Sequence, residues 1–292
     1  MRLKTDTVLV PIAVLIAAMF CFQLGAVLAK GLFPVVGAAG TTALRMALAS
    51  PILLAVWRPW RMRLKLHEMR VIVMYGLSLG GMNLFFYLSL RSIPLGIAVA
   101  LEFAGPLALA MAASRRPIDF MWILMAALGL LVLLPLGFGS QPLNTAGVGY
   151  GMVAGLFWAL YIYFGRKAGA AHGGQITALG MVIGAIVIVP IGVAEAGAHL
   201  LLSTAILPAA LGVALLSSAL PYSLEMLAMP LLPTRTVGVL MSLDPALGAL
   251  SGLCFLGERL SWIQWAAIAS IMAASAGSAA TSRDAEPQLL PD

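Results

Sequence analysis

Charge is what this sequence has least of. Only 10% of its 292 residues are Asp, Glu, Lys or Arg, against about 25% in a soluble domain. That supply cannot cover a chain that is 62% hydrophobic with a water-facing surface. A soluble globular fold is excluded. Cysteine is nearly absent too: Cys21 and Cys254 both sit in apolar runs, which rules out a disulfide-stapled secreted scaffold. The three histidines, His67, His172 and His199, fall in three separate predicted loops and form no metal site. There is no P-loop, no G-x-G-x-x-G and no Ser/His/Asp constellation, so the sequence implies no cofactor and disfavours ATP-driven pumping by this chain alone. A membrane-embedded enzyme would need a nucleophile–base pair or metal ligands at depth, and only isolated acids are found there.

What the sequence does have is apolar length. Ten runs are predicted as helices, near 8–30, 37–57, 70–90, 94–113, 118–138, 146–166, 175–194, 204–227, 234–256 and 261–280. They must be helical because the bilayer core offers no water to free backbone groups. Ten spans of about 20 residues take up roughly 200 residues, which leaves almost nothing for a soluble domain. The 30 glycines, including the GxxxG spacings Gly76/Gly80 and Gly248/Gly252, suit helices that pack by close backbone approach. The first run follows Arg2 and Lys4 but is too long for a signal-peptide core and lacks an A-x-A site, so it reads as a retained span.

The basic residues orient the spans. With the N-terminus placed in the cytoplasm, that side holds Arg2, Lys4, Arg58, Arg61, Arg63, Lys65, Arg70, Arg115, Arg116, Arg166, Lys167, Arg235 and Arg283. The opposite side holds Lys30, Arg91 and Arg259, and Arg45 lies within a span. The expected topology therefore has both termini cytoplasmic. The net charge of +6 is a topology signal; the bases are scattered over short loops and make no nucleic-acid footprint.

The halves superimpose at a constant shift of 139 residues. Leu77-Ser78 falls on Leu216-Ser217, Leu88 on Leu227, Pro94 on Pro233, Leu101 on Leu240, Pro106 on Pro245, Ala110 on Ala249 and Asp119 on Glu258. Each half holds five predicted spans, an odd number, so the second half must enter the membrane inverted. The expected fold is an all-α polytopic membrane protein built from two inverted five-helix repeats, 8–138 and 146–280, with a cytoplasmic N-terminus at 1–7 and a cytoplasmic tail at 281–292. Inverted repeats place a substrate site near the midplane and permit alternating access; duplication that merely enlarged a bundle is the plainer alternative.

Four charged residues fall well within spans, each costing at least about 2.5–3.5 kcal/mol at a helix centre. Glu102 is midway along the fourth, followed by Gly105-Pro106, which is expected to loosen the helix. It can bind a proton or an ammonium group, or serve as a protonated structural acid. Asp244, just before Pro245, lies three positions beyond the strict counterpart of Glu102, nearly one turn, and can face the same cavity. Glu225 sits near the cytoplasmic end of a predicted span, where it is either functional or simply hydrated or paired with Arg235. Arg45 either holds a substrate carboxylate or pairs with an acid. Asn83, Tyr87, Gln23, Tyr161 and Tyr222 can supply neutral hydrogen bonds to a small polar solute.

The whole of residues 8–280 resembles the EamA branch of the drug/metabolite transporter superfamily. The resembling stretches are Tyr75-Gly-Leu-Ser-Leu-Gly-Gly-Met-Asn83, Pro94-Leu-Gly-Ile-Ala-Val-Ala-Leu-Glu102-Phe, Ser114-Arg-Arg-Pro117, Ala219-Leu-Pro-Tyr-Ser-Leu-Glu225-Met, Leu232-Pro-Thr-Arg-Thr236 and Phe255-Leu-Gly-Glu258. Leu-Gly-Glu is generic to the superfamily, and Pro-Ile-Asp119 replaces it in the first half. The Glu102 and Glu225 segments are similar to the subgroup that exports amino acids of the threonine/homoserine type. The resemblance implies proton-coupled efflux of small neutral amino acids across a bacterial inner membrane. Another metabolite or a drug-like cation is the alternative cargo.

Overall fold

The computed structural model describes residues 5–62, 66–112, 117–133, 143–168 and 173–281. The flanks Arg2, Lys4 and Arg283, the loop bases Arg63, Lys65, Arg115 and Arg116, and His172 lie outside these residues. Helix α1 spans Thr5–Trp57, followed by α2 (Leu66–Leu90), α3 (Leu95–Ala112), α4 (Pro117–Leu133), α5 (Thr145–Ala168) and α6 (Gly173–Ala196). Then come the short α7 (Ala198–Leu201), α8 (Leu207–Ala214), α9 (Leu220–Ala228), α10 (Thr234–Met241), α11 (Asp244–Leu256) and α12 (Trp262–Thr281). There is no strand among the described residues.

Among the described residues, seven helical stretches are long and apolar enough to cross a membrane: Leu9–Trp57, Glu68–Leu90, Thr145–Ala168, Gly173–Ala196, Leu207–Leu231, Thr234–Leu256 and Trp262–Thr281. Two shorter apolar helices, Leu95–Leu109 and Phe120–Leu133, accompany them. The protein is a multi-pass helical membrane protein. Large apolar side chains such as Phe120, Leu124, Ile186, Leu227 and Phe255 remain exposed, as a lipid-facing surface requires.

Several expected boundaries shift. The predicted loop at 31–36 is helical, and α1 runs on until Gly37 breaks it with φ 70° and ψ 176°. Glycine is needed there, because an L side chain pays to enter positive φ. The break lies beyond Lys30 because a cluster of hydrogen bonds to Glu195 starts the next helical stretch at residues 39 and 40. His67 falls in the first turn of α2 and His199 in α7, not in loops. Gly105-Pro106 does not unwind α3, which stays helical to Ala112. Instead Gly105 meets the backbone of Gly155 so closely that a Cβ would overlap the Gly155 carbonyl.

The ninth predicted span, expected to be continuous, is two helices. α10 ends at Met241, Ser242 and Leu243 form a turn, and α11 starts at Asp244. Pro245 explains the interruption: it has no N–H for the carbonyl four residues back, and its ring disfavours helix at the preceding position. The eighth predicted span is also irregular, with a π-turn at Leu215–Ala219 just ahead of Pro221.

Packing joins early helices to late ones. α1 lies along α6 and along α8 with the π-turn, α2 between α5 and α6, α3 against α5 and α11, and α4 against α12. Glycines set the closest approaches. Gly76 and Gly80 face Gly180 and Gly184, with the Cα of Gly184 only 3.0 Å from where a Gly80 Cβ would stand. The GxxxG spacing of α2 thus serves helix packing. The second such pair divides: Gly248 packs against Val99, whereas Gly252 lies under the Glu258 side chain.

Candidate functional site

Arg45 is buried on α1 beside the π-turn. Its Nε donates to Ser218 Oγ at 2.7 Å and its Nη2 donates to the Ser217 carbonyl at 2.5 Å. The local sequence makes that carbonyl available. In a regular helix it would accept from the residue four positions on, which is Pro221 and has no N–H. A buried carbonyl left alone costs free energy, and the guanidinium satisfies it. Tyr87, fully buried on α2, lies under the guanidinium with its ring centroid 5.1 Å from Cζ. Its hydroxyl donates to Ser217 Oγ at 3.4 Å. Of the two expectations for Arg45, pairing with an acid is not what forms. Among the described residues no carboxylate lies within salt-bridge distance of it, and hydroxyl, carbonyl and ring share the charge.

Glu102, Glu225 and Asp244 are all buried, and none of them forms a salt bridge among the described residues. They are gathered into one interior region. The charges of Arg45 and Asp244 both act on Glu102, and Asp244 acts on Glu225. Seven residues from the start of α3, Glu102 lies about 10 Å along that helix, while Asp244 sits at the α10–α11 interruption. Gln23 of α1 reaches the same turn, with Nε2 3.5 Å from the Asp244 carbonyl. The helix break puts a carboxylate at a helix N-terminus in the middle of an apolar segment.

Glu225 does not pair with Arg235. It is buried on α9, whereas Arg235 is exposed on α10. Its surroundings are aromatic: its charge acts on Tyr75, Tyr161 and Tyr222. Tyr75 and Tyr161 pack with centroids 4.7 Å apart, and Phe22 meets Tyr222 edge-on at 5.2 Å. Asn83 donates Nδ2 to the Leu79 carbonyl at 2.7 Å and lies within hydrogen-bonding reach of Tyr222. The seven expected site residues are therefore linked by hydrogen bonds, a cation–π contact and charge interactions across α1, α2, α3, α9 and α11.

Reading the sequence missed the partners that hold this region in place. Ser217 was visible only as a repeat match to Ser78 and Ser218 not at all, although a serine four residues ahead of a proline signals a free carbonyl. The pairing of Tyr75 with Thr177, bonded through their hydroxyls at 3.1 Å, carried no signal, because it joins α2 to α6. Among the described residues no cluster of His, Cys, Asp and Glu has the make-up of a metal site.

Residues 145–279 match the EamA-like transporter family. The "Threonine/homoserine exporter RhtA" of Salmonella typhimurium (strain LT2) is 54% identical over 279 residues, covering 96% of this chain and 94% of that protein. The protein of the same name from Escherichia coli (strain K12) is 52% identical over 281 residues, covering 96% and 95%. This chain belongs to the EamA-like transporter family. The family is one of transporters, not enzymes. A solved crystal structure at 19% identity shares the fold, with a TM-score of 0.63 over 94% of this EamA-like chain and 98% of its own.

Proposed function

We propose that this chain exports small neutral amino acids of the threonine/homoserine type across the bacterial inner membrane, by exchange for protons. The observation that carries the reading is the set of buried carboxylates Glu102, Glu225 and Asp244, which form no salt bridge among the described residues and act on one another, with the charge of Arg45 acting on Glu102. The names of the relatives at 52–54% identity supply the cargo.

The chemistry follows from charge. A zwitterionic amino acid needs an acid for its ammonium and a donor for its carboxylate. Glu102 and Asp244 supply the first. Arg45 supplies the second through Nη1, since Nε and Nη2 are bonded to Ser218 and Ser217. Asn83, Tyr87 and Tyr222 bond the polar side chain of the cargo, and Glu225 extends the acidic surface. An ammonium group and a proton compete for Glu102, so binding one releases the other. That competition couples outward cargo to inward protons.

The membrane reading that goes with it has ten spans. The long first helix counts as two across Gly37, and the two shorter apolar helices count as spans. Grouped as inverted five-helix units at 8–138 and 146–280, they rock about the midplane site, with both termini in the cytoplasm. The broken α10–α11 segment supports this, because discontinuous helices at the midplane are where such carriers bind.

The test is counterflow of labelled threonine in liposomes, with and without a pH gradient, for the parent and Glu102→Gln. Gradient-dependent uptake that vanishes in Glu102→Gln is expected. Uptake that survives the substitution unchanged removes Glu102 from the centre of the mechanism. Absence of threonine and homoserine movement in vesicles that carry another metabolite or a drug-like cation overturns the cargo.

A further inference from the structure

Two acids take no part in the interior site, yet each makes a bond that joins distant parts of the chain. Glu195, on the last turn of α6, reaches the break in α1. Its Oε2 accepts from the Ala39 N–H at 2.7 Å and the Gly40 N–H at 3.2 Å. Its Oε1 lies 3.6 Å from Arg91 at the end of α2. Gly37 makes room: a Cβ there would come within 2.6 Å of the carboxylate.

Glu258 repeats the arrangement beyond α11. Gly257 turns left-handed at φ 66°, and the Glu258 N–H closes on the Gly252 carbonyl at 3.0 Å. The side chain then folds back over Gly252. Its Oε2 accepts from the Leu95 N–H at 2.7 Å, the start of α3, and Oε1 pairs with Lys30 of α1.

The two sets share one logic. A carboxylate from the second half of the sequence caps a helix N-terminus in the first half, where free N–H groups and the helix dipole favour negative charge. A base from the first half completes each: Arg91 for Glu195 and Lys30 for Glu258. Glu195, Glu258 and Arg91 lie at or just past helix ends and Lys30 two turns before the Gly37 break, all on the face that the basic residues assign to the outside. Neither carboxylate is deeply buried, with side-chain exposures of 32% and 13%, so both remain reachable by water that can replace their bonds.

We propose that Glu195 and Glu258 are paired latch residues that hold the outer face closed, and that turnover requires their release. This rests on the alternating-access reading above. Opening the outer face separates first-half from second-half helices and breaks both caps and both ion pairs. Water then solvates the freed groups, which keeps the cost of opening moderate.

A labelling experiment reads opening without any amino acid, so its outcome is independent of the cargo. Cys21→Ser and Cys254→Ser give a background without cysteine. A reporter, Val99→Cys, sits one turn inside Leu95 against Gly248 of α11, and its residue is 5% exposed. Spheroplasts are treated with a membrane-impermeant maleimide. Adding Glu258→Gln is expected to speed labelling about tenfold, the loss of one charge-assisted hydrogen bond, and Glu195→Gln or Lys30→Gln to speed it less. Unchanged labelling in these variants overturns the proposal. A second measurement covers a variant that folds poorly. Lys30→Cys with Glu258→Cys, bridged by a reducible bifunctional thiol reagent, is expected to halt transport until the bridge is reduced. Transport that continues across the intact bridge also overturns it.

Discussion

Arg45 donates to the Ser217 carbonyl at 2.5 Å because Pro221 cannot. The pair shows how a proline in α9 fixes a cation on α1, and how the charge is held in the bilayer without a salt bridge. Lysine has no planar fork and cannot reach both Ser218 Oγ and the Ser217 carbonyl. Arg45→Lys is expected to cost about 2 kcal/mol, seen as a lower unfolding temperature in detergent. Pro221→Ala gives the carbonyl a backbone donor. The double variant should then lose less than the two singles together, with a coupling of about 1–2 kcal/mol. Strictly additive losses would show that the two residues act separately.

The interior acids act on one another, so their substitutions should not add. In counterflow, Asp244→Asn is expected to slow threonine exchange, and Glu102→Gln to slow it further. The double variant is expected to match Glu102→Gln alone, since both act on one binding step. Losses that multiply across the pair would assign the two acids to different steps.

Gly105 and Gly155 bring α3 and α5 into backbone contact. A methyl group at Gly105 has nowhere to go, because the obstacle is a carbonyl and not a flexible side chain. Gly105→Ala should destabilise the protein by about 1–3 kcal/mol and displace Glu102, three residues away on α3. Gly149, which has open space around its Cβ position, is the control: Gly149→Ala is expected to leave the unfolding temperature within a degree or so of the parent, or to raise it. Equal effects at both positions would mean that the close approach is unimportant.

Gly37 combines a positive φ with a carboxylate next to its Cβ position. Gly37→Ala is expected to strain the backbone by about 1–2 kcal/mol and push Glu195 off the Ala39 and Gly40 N–H groups. Its transport and labelling behaviour should therefore resemble Glu195→Gln. A variant with the unfolding temperature and labelling rate of the parent would show that the cap survives without glycine.

Much of the architecture was readable before any coordinates. Apolar runs and scarce charge identified an all-helical membrane protein, because in a bilayer almost every backbone group must bond within its own helix. The acids at 102, 225 and 244 and the base at 45 stood out for the same reason: charge at depth needs a purpose. What failed was local continuity. The sequence reading ran a single helix through Ser242 and loosened α3 at Pro106; the structure does the reverse. Proline marks a helix that can break, but the neighbouring helix decides whether it does: α5 packs against Gly105 beside Pro106, whereas Gln23 of α1 reaches the carbonyl of Asp244 beside Pro245.

The sequence alone determined that this is a membrane-spanning bundle of helices with a few buried charges, since hydrophobic length and the cost of desolvating charge are properties of each segment by itself. Tertiary structure decided the partnerships. Arg45 meets Ser217 and Ser218 more than 170 residues away, and Glu195 and Glu258 cap helices that begin over 150 residues earlier. Hydrogen bonds of that kind depend on how helices stack, and stacking here is set by small residues at the crossings, whose choice of neighbour no single segment specifies.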